Sequence, residues 1–492
     1  MTDGPSTPSA RRREPRGRPR TMSALRWSSV PALLAIAVFL LFGAAPAQAA
    51  TSQAATPGTP ERFVTTELPD SAVGRQMRWL TEASTRLPLS DAELRAHFTK
   101  AFLSLPGASP AAINETLGKV IDASGLRLLG LTAVQPNALA AVVTARGTQE
   151  LTVTLAVDRA GLVEFAALAG VAPPVALPRP TGPATVGTDV VQLVDRDRGG
   201  RRLMLTRWYP AAPGAADRPL AAYAGPLVSG ALGMPDVRVH AHSGARARRG
   251  RLPVVLFSPG LGVPRVMYQA LAEDLASHGY LVIAVDHTGE APVEFADGRM
   301  KLPSAVQFKR PIATAAASRL RDMRLILRRL NTMAPGPRAD RRRVAAIGHS
   351  LGGSTAAALM RAEPSVRAGV DMDGSIFGSA RRRGVSRPFL VMTSGGADST
   401  IRSFLEHSRG PRLALEFAGF QHMSFSDVPI VAPGSVGTTR PARDVAVQRA
   451  YLRAFLDRYL LGRPSRLLAG PSRRWPQVTF GQRRLCCGTA GS

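Results

Sequence analysis

Hydrophobic and polar positions follow distinct regimes along the chain. Between residues 71 and 125 the apolar positions recur at helical spacing. Ser71 to Ala83 predicts a first helix, and Ser90-Asp91-Ala92-Glu93 reads as a capping box opening a second, with Leu94, Phe98, Ala101, Phe102 and Leu105 along one face. Ser109-Pro110 places an N-cap before a proline at the first helical position, and this third helix is expected to run to Gly125. The period then drops to two. Leu126 to Val134, Ala138 to Ala145, Leu151 to Val157 and Leu162 to Leu168 alternate as strands do, with turns at Gln135-Pro136-Asn137, Arg146-Gly147-Thr148 and Asp158 to Gly161. Helices followed by an antiparallel meander predict a small α+β domain over residues 62–170.

Five prolines between Val171 and Pro183 mark a boundary, read as a Pro-rich linker over 171–184. Beyond it Val190 to Val194 and Leu203 to Trp208 form an expected hairpin. From Pro253 the pattern becomes alternating strand and helix. Val254 to Phe257, Tyr280 to Val285, Ala368 to Met372, Pro388 to Thr393 and Leu413 to Phe417 are short apolar runs of buried-strand type, and Met267 to His278, Ala316 to Leu330 and Asp444 to Leu461 are helical. Such alternation predicts an α/β domain over 185–480 with a mainly parallel sheet wrapped on both faces, its chemistry at the C-terminal ends of the strands, and a tail over 481–492.

Composition changes this picture at the N-terminus. Arg11 to Arg26 is basic, Val30 to Ala45 is apolar over a secretory length, and Ala47-Gln48-Ala49 is a small-x-small cleavage site. Residues 1–49 are therefore expected to be a signal peptide and the product secreted; Met22 offers a second start, and a retained membrane anchor is the competing reading of the same run. Residues 50–61 read as a linker. The only cysteines, Cys486 and Cys487, are adjacent, which rules out a disulfide framework. Net charge is +28, carried almost wholly by arginine in short groups without interleaved aromatics or a reader motif. That argues against nucleic-acid binding and leaves association with anionic membrane or cell-wall surfaces open.

Candidate chemistry centres on Gly348-His349-Ser350-Leu351-Gly352-Gly353, which lies between the apolar run Val344 to Ile347 and the helical run Ser354 to Met360. A strand, a sharp turn and a helix in that order form a nucleophile elbow, which lifts the Ser350 hydroxyl to the top of a sheet; a Gly-rich turn with an inert serine is the alternative. Leu351 would offer its N–H at the helix start to a developing oxyanion, and Leu261, in Ser258-Pro259-Gly260-Leu261-Gly262, would offer a second. His422 follows the last strand and is the candidate base, since a serine hydroxyl needs an imidazole to take its proton. The acid is Asp373, in Met372-Asp373-Gly374, with Asp398 the alternative and Asp371 a third, deeper option. His349 and His287 are candidates for lining the pocket. His240 and His242 share a face but lack a third ligand, so no metal and no cofactor is expected.

Leu252 to Gly262, Leu275 to Tyr280, Val285-Asp286-His287, Gly348 to Gly353, Val370 to Gly374 and His422 to Asp427 together resemble the platelet-activating factor acetylhydrolase family of α/β-hydrolases, plasma-type, and its bacterial relatives. The resemblance spans roughly residues 185–480. It implies a calcium-independent, lipase-like serine esterase that removes short or oxidised acyl chains from phospholipids, although Pro259 stands where the animal enzymes carry histidine. The small domain, through Gly74 to Leu80 and its general pattern, resembles the SnoaL-like, NTF2-type domain that precedes some serine hydrolases of the β-lactamase class. A β-lactamase-type site is excluded, because none of the four lysines has a serine three residues before it. The expected partner is a small-molecule or lipid ester. A cutinase-like polyester hydrolase or general carboxylesterase is the alternative, and a non-catalytic cell-envelope binding protein is the alternative of another class. The segment from Ala222 to Pro235 is either a lid or a packed loop.

Overall fold

The computed structural model describes Met1 and residues 63–105, 107–303, 310–333, 336–436 and 440–484. The expected signal peptide, the 50–61 linker and the cysteine pair lie outside the described residues.

Helix α1 (Ala72–Ala83) starts where Ser71 caps it, its side chain accepting the Gly74 N–H. The single helix expected from Ser90 onward is two, α2 (Asp91–His97) and α3 (Lys100–Leu103). Phe98 and Thr99 interrupt it because they bridge to Val163 in the meander, and the Thr99 side chain then caps the next turn. Only half of the expected capping box forms. Ser90 accepts the Glu93 N–H, but the Glu93 carboxylate binds Arg86 and Trp79. Helix α4 (Pro110–Val120) stops short of Gly125, with Ile121 extended.

Strands β1 (Arg127–Gln135), β2 (Ala138–Ala145), β3 (Gln149–Val157) and β4 (Val163–Gly170) pair in sequence order as an antiparallel meander. One face buries Leu139, Ala141, Val143, Val153 and Leu155 against Val73, Met77 and Leu80 of α1. Strand β2 is buried on both faces, which its alternation did not suggest. The second face carries Ala133, Ala138, Ala140 and Ala156, whose small size lets Leu227 and Ala231 of α5 (Pro226–Ala231) pack directly on the sheet.

The Pro-rich segment is tied to the larger domain. Thr181 gives its N–H and hydroxyl to Asp274, and Gly182 gives its N–H to Ser277. The larger domain then builds a ten-stranded sheet. Its strands are β5 (Val186–Asp195), β6 (Arg201–Pro210), β7 (Arg251–Ser258), β8 (Leu281–Asp286), β9 (Arg338–His349), β10 (Val366–Met372), β11 (Phe389–Thr393), β12 (Arg412–Phe417) and β13 (Val478–Arg484), with the two-residue strand His242–Ser243 at one edge. From that edge the order is β5, β6, β8, β7, β9, β10, β11, β12, β13. The six strands from β8 to β12 run parallel, and β6 and β13 join them antiparallel. Strand β13 was not foreseen.

Consecutive residues of one strand point to opposite faces. Val255 and Phe257 of β7 therefore meet Leu271 and Leu275 of α6 (Gln269–Ser277), in a core shared with Leu452 and Phe455 of α10 (Pro441–Leu461). Val254 and Leu256 join Met323 and Ile326 of α7 (Ile312–Arg329), Leu359 of α8 (Leu351–Ala362) and Phe404 of α9 (Ser399–His407). Both faces are thus covered, as an α/β-hydrolase fold requires. If the two sheets share one packed body, Leu227→Ala should lower the unfolding free energy by about 2–5 kcal/mol, the usual cost of truncating a buried leucine. An unchanged denaturant midpoint would contradict that packing.

Candidate active site

Ser350 sits between β9 and α8 with φ 56° and ψ −125°. Among the described residues only Arg146, Ser350 and Asp373 are non-glycine residues at positive φ, so two of the three such positions fall at this site. Each costs on the order of 1–3 kcal/mol and persists only where its surroundings hold it. Here the surroundings are tight. A methyl group on Gly352 would stand 1.8 Å from the Ser258 carbonyl oxygen, one on Gly353 would stand 1.6 Å from Asp371 Oδ1, and one on Gly374 would stand 2.1 Å from the Ser350 carbonyl oxygen. The Ser350 N–H is fixed by the Met372 carbonyl at 2.8 Å. Leu351 opens α8, so its N–H has no partner within the helix.

His422 lies in a short turn after β12, and its Nδ1 is 2.8 Å from Asp373 Oδ2. Ser394 donates its N–H and its hydroxyl to Asp373 Oδ1. Burial works to raise the Asp373 carboxyl, but the His422 hydrogen bond and charge, with the Ser394 N–H, outweigh it and hold the group below its usual range. A carboxylate can only accept, so Nδ1 carries the proton and Nε2 is left with its lone pair free to act as a base.

The other two carboxylates are placed elsewhere. Asp398 is half-buried, not a solvated turn residue. It caps α9, taking the N–H groups of Thr400 and Ile401 and the hydroxyls of Thr400 and Ser375. Asp371 is fully buried, with neither carboxylate oxygen hydrogen-bonded. Burial first, then the charges of Asp373 and Asp398, push its carboxyl well up, so it is held neutral beneath the elbow.

His349 is wholly buried and joins three parts of the site. Its Nε2 donates to the His422 carbonyl at 2.9 Å, and its ring lies 4.6 Å from the His422 ring. That bond leaves Nδ1 as an acceptor for the Tyr268 hydroxyl at 2.9 Å, and the same hydroxyl accepts the Gly260 N–H at 3.0 Å. Burial and the neighbouring His422 push His349 down to about 3, so it stays neutral. The loop holding Leu261 is thereby linked through Tyr268 and the elbow to the loop holding His422. Among the described residues nothing takes the Leu261 N–H.

The family model described as platelet-activating factor acetylhydrolase, isoform II, matches residues 223–296, and that described as ORF 12 gene product N-terminal matches residues 68–163. A probable 1-alkyl-2-acetylglycerophosphocholine esterase of Arthroderma benhamiae is 26% identical over 363 residues, covering 62% of this chain and 93% of that protein. The platelet-activating factor acetylhydrolase of Cavia porcellus is 25% identical over 260 residues, and this chain spans 58% of its length. A solved ferulic acid esterase from Streptomyces cinnamoneus is 35% identical, with a TM-score of 0.58 over 63% of this chain and 99% of that one. The chain is a carboxylic-ester hydrolase, similar in sequence to platelet-activating factor acetylhydrolases.

Two parts of the esterase site escaped the sequence reading. His287 does not line the pocket. It is buried, with Nε2 2.9 Å from Ser258 Oγ and Nδ1 2.9 Å from Asp322 Oδ2, while Arg198 and Arg201 also bind Asp322. This second Ser-His-Asp set has the connectivity of a triad and no access: Ser258 is 0% exposed and Asp322 0%, whereas the His422 side chain is 34% exposed. Arg319, buried on α7, donates to the carbonyls of Pro259 and Gly260 and pairs with Glu290, bracing the Leu261 loop from behind. The sequence signal was a charged residue on the apolar face that also carries Met323 and Ile326. His240 and His242 each meet a separate backbone carbonyl, of Leu177 and Arg218. Tyr268→Phe should strand the Gly260 N–H and the His349 Nδ1, costing about 1–3 kcal/mol for each unsatisfied group, and should lower kcat for ester hydrolysis. Wild-type stability and turnover in this variant would show that the link is idle.

Proposed function

We propose that the esterase works through a Ser-His-Asp triad on lipid-like esters, in the manner implied by its acetylhydrolase relatives. Ser350 Oγ attacks the ester carbonyl as His422 Nε2 takes its proton, and the charge on oxygen is held by the Leu261 and Leu351 N–H groups. Asp373 fixes the imidazole tautomer and stabilises the imidazolium. His422 then returns the proton to the leaving alcohol, and water repeats the sequence on the acyl-enzyme. The observation that carries this reading is the 2.8 Å contact between His422 Nδ1 and Asp373 Oδ2, set beside a serine at φ 56°.

A 1-alkyl-2-acetylglycerophosphocholine-like substrate is favoured by the names of the curated relatives; a general carboxylesterase acting on larger apolar esters is favoured by the ferulic acid esterase similarity. We also propose export through residues 1–49 and attraction of the +28 chain to anionic envelope surfaces. No helix among the described residues is long and apolar enough to cross a membrane.

Kinetics of three variants test the triad. Ser350→Ala should lower kcat by about 10⁶. Asp373→Asn should lower it by about 10⁴, because the base is left in the wrong tautomer. Asp398→Asn should cost about 1 kcal/mol of stability as a weakened cap and leave turnover nearly intact. A larger catalytic loss at Asp398 than at Asp373 would move the acid and refute the assignment.

A further inference from the structure

A cavity with about 820 Å³ of empty space, mouth included, opens beside Leu261, which the proposed reaction uses, and beside Met423, next to His422. Its walls are apolar. Met267, Leu232, Met234 and Val428 line it from the larger domain, and Phe165 of β4 reaches it from the small domain. Glu290 is the charged group among the described lining residues, and Arg319 neutralises it. The wall formed by Leu232 and Met234 directly follows α5, and α5 is seated on the small domain. Leu227 and Ala231 pack on the alanine face of the meander, and a methyl group on Gly230 would stand 2.2 Å from Thr154 Oγ1. The Ala222 to Pro235 segment is therefore clamped between the meander and the cavity.

We propose that the small domain is part of the substrate pocket: Phe165 forms one wall, the meander holds a second in place, and together they bind an uncharged apolar group of the ester larger than acetyl. The extent of the apolar wall carries the second half of this statement: Phe165, Leu232, Met234, Met267, Val428 and Val431 all line the cavity, and an acetyl group is too small to touch them together. The three methionine side chains of Met234, Met267 and Met423 give the wall thioethers that adapt to chains of different shape. A phosphate would find no unpaired cation among the described lining residues, so a charged head group would lie outside.

This inference rests on the ester-hydrolase reading of the site, so its test has an arm without turnover. The full chain is compared on p-nitrophenyl acetate and p-nitrophenyl octanoate, and octanoate-ester binding is titrated in the Ser350→Ala background. Phe165→Ala should lower the octanoate-to-acetate ratio of kcat/KM by about tenfold or more, and weaken octanoate-ester binding by a similar factor, as loss of several methylene contacts implies. Phe165→Leu, a milder change that keeps the fold if alanine does not, should move both in the same direction. A ratio and an affinity within about twofold of the parent in these variants would overturn the proposal, since a pocket wall cannot be removed without a selectivity change. A parent chain that hydrolyses neither ester yet binds the octanoate ester through Phe165 would sink the triad reading and leave the pocket assignment standing.

Discussion

The site depends on a serine forced into the left-handed region between a buried strand and a buried helix. Everything near it is shaped to make that conformation the only one that packs. Gly348, Gly352, Gly353 and Gly374 have no side chains because carbonyls of the elbow and of the β7 loop, or the Asp371 carboxyl, already occupy the space. Asp371 is the cost of that closeness, a buried acid kept neutral by its burial and by the neighbouring Asp373 and Asp398 charges. Asp373, two residues on, also sits at positive φ, and this turns its carboxylate toward Ser394 and His422.

Hydrogen bonds then make the site one body. Gly260, Tyr268, His349 and the His422 carbonyl form a chain with one consistent direction of donation, so the candidate base and the candidate oxyanion loop move together or not at all. Behind the same loop, Arg319 and the Ser258, His287, Asp322 set complete its support. Access separates the two Ser-His-Asp arrangements, because a substrate carbonyl can reach only a serine open to solvent, and Ser350 is partly exposed while Ser258 is buried.

Most of the fold was legible because burial leaves a simple trace. Val254 to Phe257, Tyr280 to Val285 and Val344 to Ile347 read as continuous apolar runs since helices cover both faces of their sheet. The elbow was legible because its glycines cluster within six residues. What failed were features decided by partners distant in sequence. Phe98 looked helical until Val163 claimed its backbone, and β2 looked half-exposed until α5 covered its alanine face. The capping role of Asp398 was not legible, because nothing local announces that Ser375 folds over it. Arg319 shares the apolar face of its helix with Met323 and Ile326, and only the tertiary structure shows what buries it and Asp322 there. The small domain's contact with the cavity through Phe165 belongs to the same kind: it is set by docking, which no local pattern records.

The central claim is that Ser350, not the buried Ser258 that is hydrogen-bonded to His287, is the nucleophile. Labelling the active full chain with a fluorophosphonate and mapping the adduct by mass spectrometry of tryptic peptides tests it most directly. The account predicts stoichiometric label on Ser350, in the peptide from Val344 to Arg361, with loss of ester hydrolysis in step with labelling. Label on Ser258, in the peptide from Leu252 to Arg265, or full inactivation without label at Ser350, would contradict it.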